Sequence, residues 1–437
     1  MNDLLIYARA VHFAATIMAA GVVIFAVCIA EPAFRKSPGG TLAAALRRRF
    51  AWIGGISLAL CVLSAASWFV LTAASMSGQP LAQIYAQDVL WTVASQTDFG
   101  NDWLARLAFA GLLAGTFVRL FPANGSAPPW LKTAAVVAAA ALVGSLAWAG
   151  HANGAEGVEA VVHPAADVLH LVAAAAWVGS LVPLALVLAA TGGDAATLAV
   201  AQTATLRFST LGIVSVATLL VTGIVNTWYL AGSVEALTET EYGHLLVIKI
   251  ALFFAMVGIA AVNRLRLTPR LIAGADAASM QGARRSLCRN AVVETALGGA
   301  VIAIVAVLGT LPPGNHANHH AAEGAIPADA SFQHIHGEDG MADVTIEPGH
   351  VGNASAAVHL LDDDLDTLVA RRLTLTLTAP TPGSTPITRS AIVDADGTWH
   401  IQGIALTTPG NWTVAVDALL PSGKHLKLAA PIVIDPK

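Results

Sequence analysis

Eight apolar stretches, each long enough to cross a bilayer as a helix, constrain the fold of this chain more than any other feature. A transmembrane helix needs about 20 predominantly apolar residues, because the hydrocarbon core is ~30 Å thick. The stretches lie at about 11–31, 51–74, 103–121, 133–150, 166–190, 207–231, 244–263 and 291–311. With 56% hydrophobic and only 12% charged residues, the chain does not have the composition of a soluble domain. The sequence therefore predicts an all-helical, eight-span membrane bundle over residues 1–313.

The distribution of basic residues predicts how the bundle is oriented. Lys and Arg occur in three connections, as Arg35, Lys36, Arg47, Arg48 and Arg49, then Lys132, then Arg264, Arg266, Arg270, Arg284, Arg285 and Arg289. The alternate segments 75–102, 151–165 and 232–243 contain neither. The positive-inside rule puts the basic loops in the cytoplasm and both termini in the periplasm. The N-terminus lacks the basic region of a cleavable signal, so we expect it to remain as the first span.

The sequence pattern changes after residue 313. Residues 314–331 are rich in Gly, Pro, Ala and His, which predicts a His-rich linker. Residues 332–437 contain about seven short segments that alternate apolar and polar residues or are rich in Val, Ile and Thr, at 343–347, 355–361, 372–378, 389–394, 398–404, 411–418 and 425–434. This pattern predicts a small antiparallel β-sandwich. Because the number of spans is even, we expect it in the periplasm.

Five histidines of the membrane part fall at the same, outer side of the predicted bundle: His12, His151, His163, His170 and His244. In the fifth stretch, Pro164 at the first helical position would place His163, Asp167 and His170 at i, i+4 and i+7 on one helix face. Imidazole binds copper and zinc. The pattern predicts a metal site, in which Asp167 is either a ligand or the acceptor that orients a bound histidine. The alternative is a set of polar residues near the lipid headgroups.

Other polar or soft residues within the spans are candidates for a pathway. Asn226 and Lys249 are costly inside a membrane unless they have partners or water, although Lys249 could also extend outward to the interface. Met18 is a candidate soft ligand for Cu(I). Glu294, near the inner end of the last stretch, is predicted to pair with a nearby arginine.

The tail contains a second candidate metal site. His334 and His336 are two residues apart, and Met341 follows closely. In an extended strand this spacing points both imidazoles to one face, as a chelate requires. The remaining tail histidines are interpreted as ordinary strand or loop residues.

Several motifs resemble the CopD family of bacterial copper-resistance membrane proteins. The strongest are TGIVNTWYLAGSVEALTETEYGHLLVIKI at 222–250, NRLRLTPRL at 263–271 and RNAVVETALGGAVIAIVAVLGTLPP at 289–313; Gly150-His151-Ala152, 167–181 and Arg207-Phe208-Ser209 add to them. The resemblance covers most of residues 1–313. It implies an eight-span inner-membrane protein that moves copper ions from periplasm to cytoplasm, often beside a periplasmic copper carrier, CopC. The tail is more similar to a YtkA-type β-sandwich than to CopC.

The sequence also narrows the choice of function. It has no Walker motif, phosphate-binding Gly-rich loop or phosphorylation-type aspartate motif, and no hydrolytic nucleophile is apparent, so we expect neither ATP coupling nor an enzyme. The three cysteines, Cys28, Cys61 and Cys288, predict no disulfide. Two other classes stay open. One is a membrane electron-transfer protein with b-type haem between histidines of different spans; the other is a membrane-anchored protein that sequesters copper without transport.

Overall fold

A computed structural model of the chain describes residues 2–36, 41–77, 81, 84, 88–121, 127–149, 159–192, 194–231, 237–238, 240–273, 276–311, 327, 329–337, 340–362, 367–380, 384–394 and 397–436. These residues form two compact units, Met1–Asn318 and His319–Lys437, called here the membrane unit and the β unit.

Eight helices of the membrane unit are long and apolar enough to cross a membrane, which confirms the predicted architecture. These spans cover Asp3–Phe34, Thr41–Ser77, Phe99–Leu120, Pro129–Trp148, Val161–Ala190, Ala195–Tyr229, Glu241–Ala273 and Ala277–Leu308. All eight begin earlier than the apolar stretches suggest. The second span, for example, starts at Thr41 and includes Arg47, Arg48 and Arg49, because a helix continues past the apolar core wherever its polar residues face water or other polar groups.

Four of the spans change helix type along their length. The first consists of Asn2–Phe25, a π turn at Ala26–Ala30 and Glu31–Phe34. The fourth is Pro129–Gly144 followed by a 3₁₀ turn at Ser145–Ala149. The fifth is Glu159–Trp177, a 3₁₀ turn at Val178–Ser180 and Leu181–Ala190. The seventh is Glu241–Val262, a π turn at Asn263–Leu267 and Thr268–Ala273.

The other helices are continuous. They are Thr41–Ser77, Val89–Gln96, Asp98–Leu120, Ala195–Ala231 and Ala277–Leu308. Asp194 caps the sixth span, since its carboxylate accepts hydrogen bonds from the Thr197 hydroxyl at 2.5 Å and the Thr197 amide at 2.9 Å. The same hydrogen bonds hold the pKa of Asp194 below its usual value.

The first span is the central helix of the membrane unit. It packs against the second, fourth, fifth and eighth spans, and 78% of its most apolar window is buried, against 11% for the seventh span. Its closest approach is to the 3₁₀ turn of the fifth span, where a Cβ on Gly21 would overlap the backbone of Gly179. We refer to the end where Arg9 contacts Gly309 as the N-terminal end of the unit and to the other as the opposite end.

The β unit is a two-sheet antiparallel sandwich, as predicted. Its strands are β1 Ser331–Gly337, β2 Gly340–Glu347, β3 Gly352–Leu361, β4 Arg372–Thr378, β5 Ile387–Ser390, β6 Ile392–Val393, β7 Trp399–Leu406, β8 Gly410–Leu419 and β9 His425–Ile434. One sheet has the order β1-β2-β3-β7-β6 and the other β5-β4-β8-β9. Residues of both sheets, such as Val358 and Val414, share one buried core.

One local prediction for the β unit was wrong, and its first strand was not predicted. The segment predicted as one strand at 389–394 is split between β5 and β6, which belong to different sheets, so the chain crosses the sandwich at Ala391. Residues 331–337, which lie before the first predicted strand at 343–347, form the edge strand β1 and pair with β2. The predicted linker at 314–331 lies mostly outside the described residues.

Candidate metal centre

The fifth span places three of the predicted ligands on one helix face near the N-terminal end. His163 and Asp167 are one turn apart, with 3.7 Å between the His163 Nε2 atom and an Asp167 carboxylate oxygen. His170 follows one turn further along the helix. Pro164 does not start this helix as predicted, because the helix begins at Glu159 and contains the proline. The missing proline N–H costs one backbone hydrogen bond close to the helix end.

The sixth span contacts each of these three side chains. Two of the contacts are hydrogen bonds and the third is between two rings. The Asn226 amide donates to Asp167 at 2.5 Å. The rings of Tyr229 and His163 are stacked with centroids 5.1 Å apart. The Nδ1 atom of His170 lies 2.9 Å from the Thr222 hydroxyl. We call these six residues of the fifth and sixth spans, His163, Asp167, His170, Thr222, Asn226 and Tyr229, the histidine cluster.

The hydrogen-bond network fixes which nitrogen of His170 carries the proton. The Thr222 hydroxyl donates its hydrogen to the backbone carbonyl of Thr218 at 2.7 Å, so it can only accept from His170. Nδ1 of His170 is therefore the protonated nitrogen, and Nε2 carries the lone pair. This is the arrangement by which proteins orient a histidine for metal binding through Nε2.

The seventh span brings a positive charge to the histidine cluster. Lys249 interacts electrostatically with Asp167 and with His170, and the Tyr242 ring is buried nearby on the same span. The lysine ammonium therefore offsets the charge of the aspartate. His244 is exposed, and its Nε2 atom donates to the Thr238 carbonyl at 2.8 Å.

His12 belongs to a different polar cluster. Its Nδ1 atom lies 3.1 Å from the Cys61 carbonyl and 3.2 Å from the Ser64 hydroxyl, and its ring contacts Trp68 with centroids 5.5 Å apart. Since a carbonyl can only accept, Nδ1 is the donor and Nε2 carries the lone pair. That Nε2 atom is buried without a hydrogen-bond partner among the described residues. Cys61, Ser64 and Trp68 of the second span thus hold the His12 ring.

Two arginines complete the cluster around Trp68. The guanidinium carbons of Arg9 and Arg106 each lie 5.2 Å from the Trp68 ring centre, within the range of cation–π attraction. Arg9 donates to the Gly309 carbonyl at 2.8 Å and Arg106 to the Ser145 carbonyl at 3.2 Å. Both arginines are buried. They tie the first, third, fourth and eighth spans together at the N-terminal end.

The structure does not assemble all the predicted ligands around one point. In the part of the chain that it describes, no three His, Cys, Asp or Glu side chains are close enough together to hold a metal ion. His151 lies outside the described residues. Met18 is partly buried against the apolar core at the middle of the first span. The membership of His12, His151, His163, Asp167, His170 and His244 in one site stays a prediction.

In the β unit, His334 has a carboxylate partner on the neighbouring strand. Its Nδ1 atom is hydrogen-bonded to Asp343, which lies opposite it in the β1–β2 pairing. Met341, opposite His336 in the same pairing, is 7% exposed. Because alternate residues share a face, the side chains of His334, Asp343 and Met341 lie on one face of the sheet, away from the core that Ile335 and Ala342 enter.

Sequence reasoning missed several of these partners although one signal for them was present. Thr218, Thr222, Asn226 and Tyr229 recur at intervals of four, four and three residues, so they form a polar stripe along an otherwise apolar helix. Such a stripe faces a polar partner, here the fifth span. Arg9 and Arg106 gave a weaker signal, since each is a lone charge at the edge of an apolar stretch.

Glu294 does not pair with an arginine as predicted. Its carboxylate accepts a hydrogen bond of 2.7 Å from the Asn263 amide. The arginine nearest in sequence to Asn263, Arg264, instead donates to the Ser209 hydroxyl at 2.7 Å. Arginines near the membrane boundary extend toward polar groups at the surface, whereas Glu294 is buried at the interface between the seventh and eighth spans.

Comparisons with known proteins place the chain in a family. The family model for copper resistance protein D matches residues 202–308, and the model for the copper resistance protein D-like N-terminal domain matches residues 1–162. Copper resistance protein D of Pseudomonas syringae pv. tomato is 32% identical over 260 residues, which are 59% of this chain and 81% of that protein.

Two further relatives agree with these matches. The inner membrane protein YebZ of Escherichia coli (strain K12) is 28% identical over 305 residues, 70% of this chain and 97% of YebZ. The copper transport protein CutJ of Bacillus subtilis (strain 168) is 25% identical over 340 residues, 77% of this chain and 58% of CutJ. With its eight apolar helices, the chain is therefore a multi-pass inner-membrane protein that belongs to the copper resistance protein D family.

Proposed function

We propose that this protein accepts copper at the periplasmic face of the inner membrane and moves it toward the cytoplasm. The observation that carries the proposal is the orientation of His170, whose Nε2 lone pair is left for a ligand by the bond from Nδ1 to Thr222. Relatives are named for copper resistance and for copper transport. The proposed ligands of the membrane unit are His12, His151, His163, Asp167, His170 and His244.

The chemistry of the histidine cluster suits copper. Imidazole nitrogen binds both Cu(I) and Cu(II). Asp167 is held by the Asn226 amide, which leaves its second carboxylate oxygen facing His163. In this proposal, copper displaces the Lys249 ammonium as the positive charge next to Asp167, and His163 and His170 supply nitrogen ligands. Small side-chain rotations of the two histidines would be needed to bring these atoms around the ion.

The proposed direction of movement rests on charge. The Lys- and Arg-rich connections favour a cytoplasmic location for the opposite end, so the histidine cluster would face the periplasm with both chain termini. A monovalent cation that enters the cytoplasm gains about 2.3 kcal/mol per 100 mV of membrane potential. Inward movement of Cu(I) therefore needs no coupling to ATP. Asn226, Lys249 and Met18 are proposed to line its path.

The β unit would act as a periplasmic capture domain. His334, already oriented by Asp343, together with His336 and Met341 offers a mixed nitrogen and sulfur donor set on one sheet face. A soluble copper carrier of the CopC type is an alternative source of the metal for the membrane unit. We propose that the predicted sandwich domain, residues 332–437, and the predicted bundle, residues 1–313, bind copper separately.

Copper stoichiometry of the purified protein in detergent, together with its optical spectrum, tests this function. We would compare the full chain, His163→Ala/His170→Ala and His334→Ala/His336→Ala. His425→Ala is the matched control, because His425 is also a histidine paired with an aspartate, Asp417, but lies exposed in the β unit. We expect each double variant to lose one of two copper sites and the control to keep both.

The outcomes separate the competing functions. Loss of copper only in the His334→Ala/His336→Ala variant would favour sequestration by the β unit and contradict a membrane site. A Soret band would identify haem and move the protein to electron transfer. If the membrane site is present, uptake of copper into proteoliposomes with inside-negative potential should follow, and its absence would contradict transport.

A further inference from the structure

A cavity of about 350 Å³ lies between the fifth, sixth, seventh and eighth spans, toward the opposite end of the membrane unit. Most of its wall is apolar, with side chains such as Trp177, Phe208 and Val257. The polar groups that reach it include Thr205, whose hydroxyl is buried without a hydrogen-bond partner among the described residues, and Glu294. The cavity therefore brings a carboxyl group and a hydroxyl group into an apolar environment.

Glu294 is held by a short chain of amides. It is 1% exposed, and the Asn263 amide nitrogen donates to its Oε1 atom at 2.7 Å. The Asn290 amide nitrogen donates to the Asn263 carbonyl oxygen, also at 2.7 Å. This second bond fixes the Asn263 amide so that its nitrogen, rather than its oxygen, faces Glu294.

The cations around the cavity are engaged elsewhere. In the described part of the chain, Asn263 is the only partner found for the Glu294 carboxyl. The charged and titratable groups on the elements packed around it have other partners: Arg264 donates to Ser209 at 2.7 Å, Arg207 to the Cys28 carbonyl at 2.7 Å, Arg284 to the Leu188 carbonyl, and Cys288 to the Ala185 carbonyl at 3.6 Å. Among the residues that the structure describes, Glu294 thus has an amide donor but no neutralising cation.

The backbone departs from the α form where Asn263 meets Glu294. The π turn at Asn263–Leu267 begins with this residue, and the Thr268 hydroxyl donates to the Asn263 carbonyl at 2.8 Å. Single π turns inside α-helices are frequent at functional sites. The local geometry therefore presents the Asn263 side chain to the eighth span at the level of Glu294.

We propose that Glu294 is a proton-binding site of the membrane unit, that Asn263 is its positioning residue, and that the cavity gives it access to exchangeable protons. A buried carboxylate without a cation is unfavourable in a low-dielectric interior, and binding a proton removes that charge. The side chains closest to it offer only oxygen and amide donors, which do not suit soft Cu(I). The exchange is a simple balance, in which Glu294–COOH releases one proton to water and becomes Glu294–COO⁻.

This site is separate from the histidine cluster, and the inference does not depend on copper transport. If both hold, a proton that leaves through Glu294 as Cu(I) enters would keep the net charge moved at zero. Copper uptake would then respond to a pH gradient and not to the membrane potential.

Infrared difference spectroscopy of the full-length protein in lipid nanodiscs tests the proton site. Spectra would be recorded across a pH series in choline buffer, in H₂O and in D₂O. We expect the carbonyl stretch of a protonated carboxylic acid, which shifts in D₂O and disappears as the pH rises. Glu294→Gln should abolish it. Glu31→Gln is the matched control, because Glu31 is also a glutamate of a span but pairs with Arg47 at 2.7 Å, and it should leave the band unchanged.

Two further variants allow the proposal to be tested even if Glu294→Gln does not fold. Glu294→Asp keeps a carboxyl group and should move the band without removing it. Asn263→Leu removes the amide donor to the carboxylate, so the band should persist to higher pH. The inference is overturned if wild type and Glu294→Gln have the same spectrum at every pH. It is also overturned if Na⁺ at fixed pH removes the band where choline does not, since the site would then bind an alkali cation.

Discussion

The hydroxyl of Thr222 sets the protonation of His170, and this single contact predicts a measurable effect. Thr222→Val keeps the shape of the side chain but removes the acceptor for Nδ1–H. Partners of this kind typically contribute 10- to 100-fold to metal affinity. We expect copper binding by the membrane unit to weaken by about that factor, measured by competition with a chelator in detergent.

Thr218→Val is the control for this substitution. Thr218 lies one turn earlier on the same span, and its hydroxyl donates to the Val214 carbonyl at 2.9 Å, a bond within its own helix. Its loss should leave copper affinity unchanged. Equal affinities for the two variants would contradict the role given to Thr222.

The charge of Lys249 should oppose copper binding. A unit charge repels another by about 2 kcal/mol at roughly 8 Å with an effective dielectric constant of 20. Lys249→Met removes this repulsion and leaves Asp167 without its cation. We therefore expect copper affinity to rise by at least about tenfold. Lys249→Arg keeps the charge and should bind copper like wild type; weaker binding by Lys249→Met would show that the lysine supports the site.

At the residue scale, sequence predicted the types of side chain better than their partners. The spacing of His163, Asp167 and His170 correctly predicts a shared helix face, because a helix repeats every 3.6 residues. It cannot predict that Asn226 and Thr222 complete the cluster, because this depends on how two distant spans pack. The same limit explains why Glu294 was paired with an arginine instead of Asn263.

Among the elements, the contact between the first and fifth spans should tolerate little added volume. A methyl group on Gly21 would meet the backbone of Gly179, which cannot move aside without separating the spans. Overpacking of this kind costs about 1–3 kcal/mol or more. We expect Gly21→Ala to lower the midpoint of thermal unfolding in detergent.

Gly258→Ala on the seventh span is the matched substitution. Nothing lies within 4 Å of the position where its new methyl group would be. Alanine is favoured over glycine within a helix by about 0.5–1 kcal/mol, so this variant should be at least as stable as wild type. A similar midpoint for both variants would show that the two spans can separate at little cost.

The sequence predicted where the helices and strands lie more closely than where they begin and end. Apolar length identifies all eight spans, since only helices can cross the hydrocarbon core here without unpaired backbone groups. It underestimates them, because charged residues such as Arg47 continue the second span. The strand at 389–394 was mistaken for one element because alternation alone does not show where a strand leaves one sheet for the other.

For the whole molecule, two unfolding transitions are expected. The core of the β unit consists only of residues between Ile335 and Ile434, so this unit has its own cooperative core. Trp412 is 2% exposed within it. Trp412→Ala should cost about 3–5 kcal/mol and lower one transition by more than about 10 °C, without changing the other. Calorimetry of the full chain would measure both.

Val433→Ala serves as the comparison for this variant, because Val433 lies in the same unit with its side chain 56% exposed. It should leave both transitions nearly in place. A single transition that shifts as a whole in Trp412→Ala would instead mean that the two units unfold together.

Two separate polar clusters divide the N-terminal end of the membrane unit, and this arrangement was beyond the reach of sequence reasoning. Composition and basic-residue placement group the histidines at one end of the bundle, which the described residues support for His12, His163 and His170. Neither composition nor the placement of basic residues shows that His12 faces two arginines and Trp68 while His170 faces the sixth span. The order of the helices around the first span decides which partners each histidine has. That order depends on the packing of many small side chains.

The π turn at Asn263–Leu267 also acts as a phase adjustment along the seventh span. One extra residue in a helix rotates everything beyond it by about 100°. Deleting one of the residues Arg264, Leu265, Arg266 or Leu267 would restore a regular helix and rotate Thr268–Ala273 relative to Asn263, with almost no change in composition or length. A chain with that deletion would still cross the membrane eight times, but the Asn263 amide and Thr268–Ala273 would no longer both face the sides of the bundle that they face now.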